Sequence, residues 1–151
     1  LKKFKFRFDT VLRVKEKKEE QLKREFMQLI ALKIQQENLL KEIEKEKKKI
    51  IKEKFDEKQT GTDIQTLIYY EEYCNFLRKE INLTEKKIKE LQEKADIKRE
   101  ELIEASKQKK IFERLKQSDF QKFKALVLKN EQQILDEAAV NKYNRGEQKS
   151  Y

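Results

Sequence analysis

A polypeptide without helix breakers has few places to bend, and this one has almost none. Its 151 residues contain no proline and only two glycines, Gly61 and Gly146. Proline interrupts a helix by removing a donor and clashing with the preceding turn, and glycine opens left-handed backbone to tight turns. Only Gly61 lies mid-chain, within QTGTD at 59–63, where Thr62 or Asp63 is suited to cap a following helix. The sequence therefore predicts two long helices joined by a single turn.

Apolar spacing supports the division. Before the glycine, steps of three and four pass through Leu1, Phe4, Phe8, Val11, Leu22, Leu29, Leu32, Leu39, Ile43 and Ile50. Lys15, Lys18, Glu25, Gln36 and Glu46 interrupt this seam, and Phe26 and Leu40 lie one position beside it. After the glycine the steps pass through Leu67, Tyr70, Cys74, Leu77, Ile81, Ile88, Leu91, Ala95, Leu102, Ala105 and Phe112, interrupted at Thr84, Lys98 and Lys109. A sustained three-four repeat marks a coiled coil, here with left-handed supercoil.

Folding back about residue 60 sets Ile50 near Tyr70, Ile43 near Leu77, Leu39 near Ile81, Leu32 near Ile88 and Phe8 near Phe112. The expected fold is all-α: a long two-helix antiparallel coiled-coil hairpin with an overhanging C-terminal helix, forming one domain over 1–151. Helix one is expected over about 4–57, the turn over 58–63, helix two over 64–140 and a frayed tail over 141–151. Such a paired rod would be on the order of 80 Å long. Because Phe4 should pair near residue 116, helix two is expected to run unpaired from about 117 to Val140. Phe120, Phe123, Val127, Ile134 and Ala138 keep a helical face there, out of phase with the earlier seam. An apolar face without an intramolecular partner usually meets one in another molecule.

Composition agrees with a thin seam. Charged residues make up 44% of the chain and apolar ones 36%, below the ~45–50% of ordinary globular domains. The net charge is +9, with both signs interleaved, as in KEIEKEKKKIIKEK at 41–54. Interleaving of that kind suits a solvated helix face with i,i+4 pairs, while the excess of lysine steers toward an acidic partner. Cys74 is the only cysteine and falls on the seam, so it is expected to be a small buried residue, with no disulfide inside the chain. No apolar run approaches the ~18 residues of a membrane span.

The residue inventory offers no catalytic set. There are no histidines, one cysteine cannot form a metal cluster, and two glycines cannot build a phosphate-cradling loop. Carboxylate pairs such as Glu71 with Glu72 sit on a rod without a pocket, where no burial raises a pKa. The expectation is a protein that is not an enzyme and carries no cofactor or metal. Phe4, Phe6 and Phe8 alternate with Lys3, Lys5 and Arg7. Aromatic and basic interleaving can stack nucleobases, but Phe4 and Phe8 also fit a seam that closes against Phe112 and Leu115, which would leave Phe6 facing outward.

Four segments resemble a known family. FKFRFDTVLRVKEKKEE opens the chain, a turn with glycine precedes YYEEYCNFLRKEI, and EASKQKKIFERLK and EQQILDEAA follow. In order and spacing they are similar to the FliJ family, the coiled-coil component of the bacterial flagellar type III export apparatus. Phe8 and Phe112 stand where that family commonly has leucine. The resemblance implies a stalk inserted in the pore of the hexameric export ATPase, contact with the membrane export-gate protein, and escort of export chaperones. It implies a cytoplasmic protein, peripheral at the inner membrane through its partners, with no nucleic acid. It carries an ATPase-ring contact onto Glu131, Leu135, Asp136 and Glu137, with Phe6 as the outward aromatic beside them. The gate contact falls on Leu39, Ile43, Ile50, Tyr73 and Leu77. A stalk of a virulence-type export system shares this architecture. A basic coiled-coil binder of RNA or anionic membrane is the competing class, marked by binding that falls steeply with salt.

Overall fold

The structure, a computed structural model, describes residues 2–148. Two helices account for nearly all of them: α1, Asp9–Thr60, and α2, Ile64–Gln148. They pack antiparallel, and the fold is an all-α helical hairpin with α2 the longer arm. The turn needs only 61–63. Gly61 takes φ 87°, with open space around the position a Cβ would occupy. Thr60 donates its hydroxyl to the carbonyls of Asp56 and Glu57 at 3.2 and 3.4 Å. Those bonds satisfy acceptors that a helix end leaves open, and α1 runs three residues past the expected boundary at 57. Asp63 caps α2, its Oδ1 accepting from the Thr66 amide at 2.9 Å. Hydrogen bonds from Thr66, hydroxyl first and then amide, hold the Asp63 carboxyl below its ordinary range.

The outer boundaries differ from expectation. Helix one does not begin at residue 4 but at Asp9. Alternation of Phe4, Phe6 and Phe8 with Lys5 and Arg7 has period two, so an extended segment turns all three rings inward, where a helix would turn in only two. At the other end α2 continues through 141–148, since nothing there breaks it and Gly146 keeps helical backbone. The last three residues of the expected tail, and Leu1 of the expected seam, lie outside the described residues.

The chain forms two compact units, one of residues 20–104 and one of residues 1–19 with 105–151. In the first, Leu22, Cys74, Leu77 and Ala95 are buried, Cys74 at 2% exposure as its seam position predicts. In the second, Phe6, Leu12 and Ala105 are buried. Every seam position of α2 from Leu67 to Phe112 is buried or half-buried, so that register holds throughout.

In the first arm three members of the expected seam are out of place. Phe8, Leu22, Leu29, Ile43 and Ile50 face inward, but Val11, Leu32 and Leu39 are exposed. Their places are taken one residue later by Leu12, Lys33 and Leu40, while Phe26, Lys47 and Lys54 are half-buried at other steps. The pairings of Leu39 with Ile81 and Leu32 with Ile88 therefore do not form at the core. This register puts Phe26 inward beside Glu25 and leaves lysine stems, which bury their methylenes while the ammonium reaches water, at the remaining steps.

The polar interruptions meet one another. Glu25, now at the flank of the α1 seam, pairs with Lys98 of α2 at 2.8 Å. Lys98 also reaches Glu101 at 3.3 Å. In the other unit Glu19 pairs with Lys109 at 2.9 Å. Lys54 pairs with Glu71 beside the turn. Thr84 is 4% exposed and returns its hydroxyl to the Glu80 carbonyl at 2.8 Å. Gln36 has no such match: its Oε1 is buried without a hydrogen-bond partner.

A buried acceptor left unpaired costs about 1–3 kcal/mol, and a polar residue at a coiled-coil core position lowers stability. Gln36→Leu is therefore expected to raise the melting temperature by about 3 °C, the shift that ~1 kcal/mol gives at this chain length. An equal or lower value by thermal circular dichroism would count against this account.

The cross-helix pairs set a pH window. The hydrogen bond from Lys98 holds the Glu25 carboxyl below its ordinary value of 4.5, and the bond to Glu25 holds the Lys98 ammonium above its ordinary value of 10.5. A lowered carboxyl adds stability above its ordinary value and loses it as pH falls through the lowered one. A raised ammonium adds stability below its ordinary value and loses it as pH rises through the raised one. The difference in melting temperature between wild type and Glu25→Gln/Lys98→Gln should be largest between about pH 5 and pH 10 and shrink on both sides.

Candidate functional site

The unit built from both termini carries the most unusual surface. Residues 2–8 form a strap along α2, non-helical over 2–6 and turning at 7–8 into α1. Phe8 meets Phe112 edge-on with ring centroids 6.0 Å apart, and Phe6 packs edge-on against Phe8 at 6.0 Å. Phe4 sits on Phe120 and Phe123 at 5.3 and 5.5 Å. Helix two is thus covered beyond residue 116, the expected limit. The cause is reach: extended chain advances ~3.3 Å per residue, helix ~1.5 Å, so four strap residues span about nine helical ones. Leu115 takes no part in the closure and is 36% exposed. Arg7 lies over the Phe8 ring at 5.1 Å and Lys124 over Phe120 at 4.7 Å, which keeps the cations on the rim of the cluster.

Phe6 does not face outward. At 8% exposure it belongs to the core of this unit, so it offers no aromatic contact to a partner. With Phe4, Phe6 and Phe8 all engaged on α2 or each other, the segment presents no free ring platform for nucleobases.

Beyond the strap, α2 continues without a covering element among the described residues. Phe123 and Val127 are the last half-buried positions, and 128–146 are exposed. Leu128, Ile134, Leu135 and Val140 are 66, 65, 64 and 57% exposed. Glu131 and Leu135, four residues apart, share a side of the helix. Asp136 lies elsewhere, accepting from Gln132 at 3.2 Å, and together with Glu137, Val140 and Asn141 it lines a shallow surface depression. The four residues carried over from the family motif are all exposed, but they surround the helix rather than forming one patch.

In the turn-containing unit the expected gate residues divide by burial. Leu77 is core at 5% exposure, Ile43 and Ile50 are half-buried seam residues, and Leu39 is exposed at 42%. Tyr73 is half-buried. Its hydroxyl donates to Glu46 Oε1 at 3.5 Å and its ring stacks on Phe76 at 6.3 Å. Burial, then the Glu46 charge, pushes the Tyr73 phenol up. Tyr73, Tyr69, Tyr70, Thr66, Ile50, Glu46 and Glu53 line one open hollow. Tyr69 and Phe76 beside it, 68 and 54% exposed, were not singled out from the sequence. Their positions, four before and three after Tyr73 on one helical side, are the signal that marks them.

No helix among the described residues is long and apolar enough to cross a membrane. Compared with known proteins, the chain matches the family model described as "Flagellar FliJ protein" over residues 4–148. No curated protein and no solved structure matches it.

The strap depends on rings more than on backbone bonding: at its α1 end the Asp9 amide donates to the Phe6 carbonyl at 3.3 Å and the Leu12 amide to the Phe8 carbonyl at 2.9 Å. Phe4→Ala is expected to leave helix content unchanged while speeding proteolysis within residues 2–8. Unchanged cleavage in limited digestion would show that Phe6 and Phe8 alone hold the strap.

Proposed function

This chain belongs to the FliJ family, coiled-coil proteins of flagellar export, and on that premise we propose that it is a non-enzymatic stalk and escort. In this reading the unit built from both termini inserts into the hexameric export ATPase ring. It promotes assembly and activity of the ring and links it to the membrane export gate and to export chaperones. The protein then works in the cytoplasm, peripheral to the inner membrane at the flagellar base, held there by its partners.

One observation carries the reading: α2 runs on past its strap as an exposed helix bearing Leu128, Ile134, Leu135 and Val140. A preformed helix that gains nothing from its own fold enters a ring pore without an ordering cost. Leu135 supplies an apolar anchor, while Glu131, Asp136 and Glu137, distributed around the helix, pair with basic groups on several sides of a surrounding wall. That distribution suits a pore better than a flat surface. A stalk binding one ring conformation more tightly than another shifts the ring toward it, so hydrolysis rises without any chemistry on the stalk.

The gate contact is proposed for the turn-containing unit. Leu39 and Tyr73 are its accessible members. Ile43, Ile50 and Leu77 act by holding the helices beneath them, since their burial withholds them from a partner.

Truncation after Asn130 tests the ring assignment. The paired helices are expected to stay folded, because their last cross-helix contacts are made by Phe120 and Phe123. Binding to the ATPase ring and stimulation of hydrolysis should both be lost. Full stimulation by the truncated protein would place the inserting element elsewhere.

A further inference from the structure

The whole of the chain's positive excess sits in one unit. Residues 20–104 hold 19 basic and 20 acidic side chains, so they contribute nothing to the net charge of +9. Residues 1–19 with 105–151 hold all of it, and these are the residues of the terminal unit. Within α2 the cations are ordered. Lys107, Lys110, Arg114, Lys122 and Lys129 are exposed, and their spacing keeps them within one side of a 3.6-residue helix. That side is opposite the seam residues Ala105, Lys109 and Phe112. No carboxylate shares it between 107 and 129, and none of the five cations is ion-paired among the described residues. Lys3, Lys5 and Arg7 add to the charge of the same unit from the outer side of the strap.

We propose that this stripe is a docking surface for an acidic protein wall. The proposal rests on the stalk reading only for which protein supplies that wall. A protein fits better than nucleic acid because the rings that would stack on bases are engaged within the unit. Ile111 and Leu115 are interleaved with the cations at 56 and 36% exposure, and they match aliphatic side chains between carboxylates rather than a phosphate backbone. A membrane surface fits less well. Leu126, Leu128, Ile134 and Val140 point around the helix and form no single apolar face to lie in an interface. Past Lys129 the sign reverses at Glu131, Asp136 and Glu137. A partner must therefore be acidic along 107–129 and basic along 131–137, a polarity that permits one direction of insertion and opposes the other.

The test uses the full chain and the purified hexameric export ATPase, comparing wild type with Lys107→Glu/Lys110→Glu/Lys122→Glu/Lys129→Glu and with the fourfold arginine variant. Circular dichroism checks that all three are equally helical. At about 50 mM salt the glutamate variant should associate at least about tenfold more slowly, and the gap should close near 0.5 M, as screening removes long-range steering. The arginine variant should keep the wild-type rate. Equal association rates for wild type and the glutamate variant at low salt would overturn the proposal. If the wild type does not bind the ring at all, the stalk reading fails and the stripe is judged on other probes. Retention on polyglutamate that the glutamate variant loses would then sustain an acidic protein partner. Stronger retention on heparin or on phosphatidylserine vesicles would overturn it.

Discussion

A seam one side chain deep has no room for a polar group that lacks a counterpart, and the rest of this structure follows from that constraint. Few apolar side chains are fully enclosed. Leu22, Cys74, Leu77 and Ala95 serve one unit, and Phe6, Leu12 and Ala105 the other. Burial alone would permit the helices to slide by a heptad at small loss. Cross-helix pairs forbid it, because a slide separates Glu25 from Lys98 and Glu19 from Lys109 and leaves each charge against an apolar step. These half-buried pairs at the edge of the seam add little stability by themselves. Their effect is on register, the best-attested use of polar groups in coiled coils.

Legibility from the sequence was uneven, and the reasons are physical. The α2 seam could be read completely because one three-four path collects eleven apolar residues from Leu67 to Phe112, with only Thr84, Lys98 and Lys109 interrupting it. In α1 adjacent apolar pairs such as Val11 with Leu12 and Leu39 with Leu40 offer two registers with equal hydrophobic content. The decision lies with Phe26 and with carboxylates at 25 and 46 that need partners on α2, which no single-helix pattern contains. The strap was misread for a related reason. Phe4 and Phe8 satisfy a helical step, and only the intervening Phe6 reveals the period of two. The turn was legible to within three residues, since Gly61 has no competitor. Of the proposed contacts, exposure at Glu131, Leu135, Asp136 and Glu137 followed from the unequal arms, since folding about residue 60 leaves α2 unpaired past about residue 117. Burial of Leu77 was legible from its seam position, whereas that of Phe6 could not be foreseen without the strap.

Where α1 and α2 are both present, side-chain pairing explains the helices; beyond Val127 it does not. That stretch stands on local terms: no proline, strong helix formers such as Leu, Glu, Gln and Ala through 131–139, and an i,i+4 bond from Gln132 to Asp136. Segments of this kind are marginal alone, but here α2 enters already nucleated, so each added residue costs only propagation. Continuity with a packed helix therefore keeps an uncovered segment ordered.

Order without internal contact has a direct bearing on recognition. Leu128, Ile134, Leu135 and Val140 keep more than half of their surface exposed, so a partner that covers them gains the apolar transfer of that remainder, ~25 cal/mol per Å², against little lost backbone entropy. The same residues in a flexible tail would first have to be ordered, at ~1–2 kcal/mol per residue. Sharing one continuous helix with the packed region, the segment is also presented ready-formed to whatever covers it. A covering element here would stabilise the isolated protein and remove that property. On the proposed stalk reading, the exposed apolar residues of α2 give up stability in the isolated protein in exchange for a surface that a partner completes.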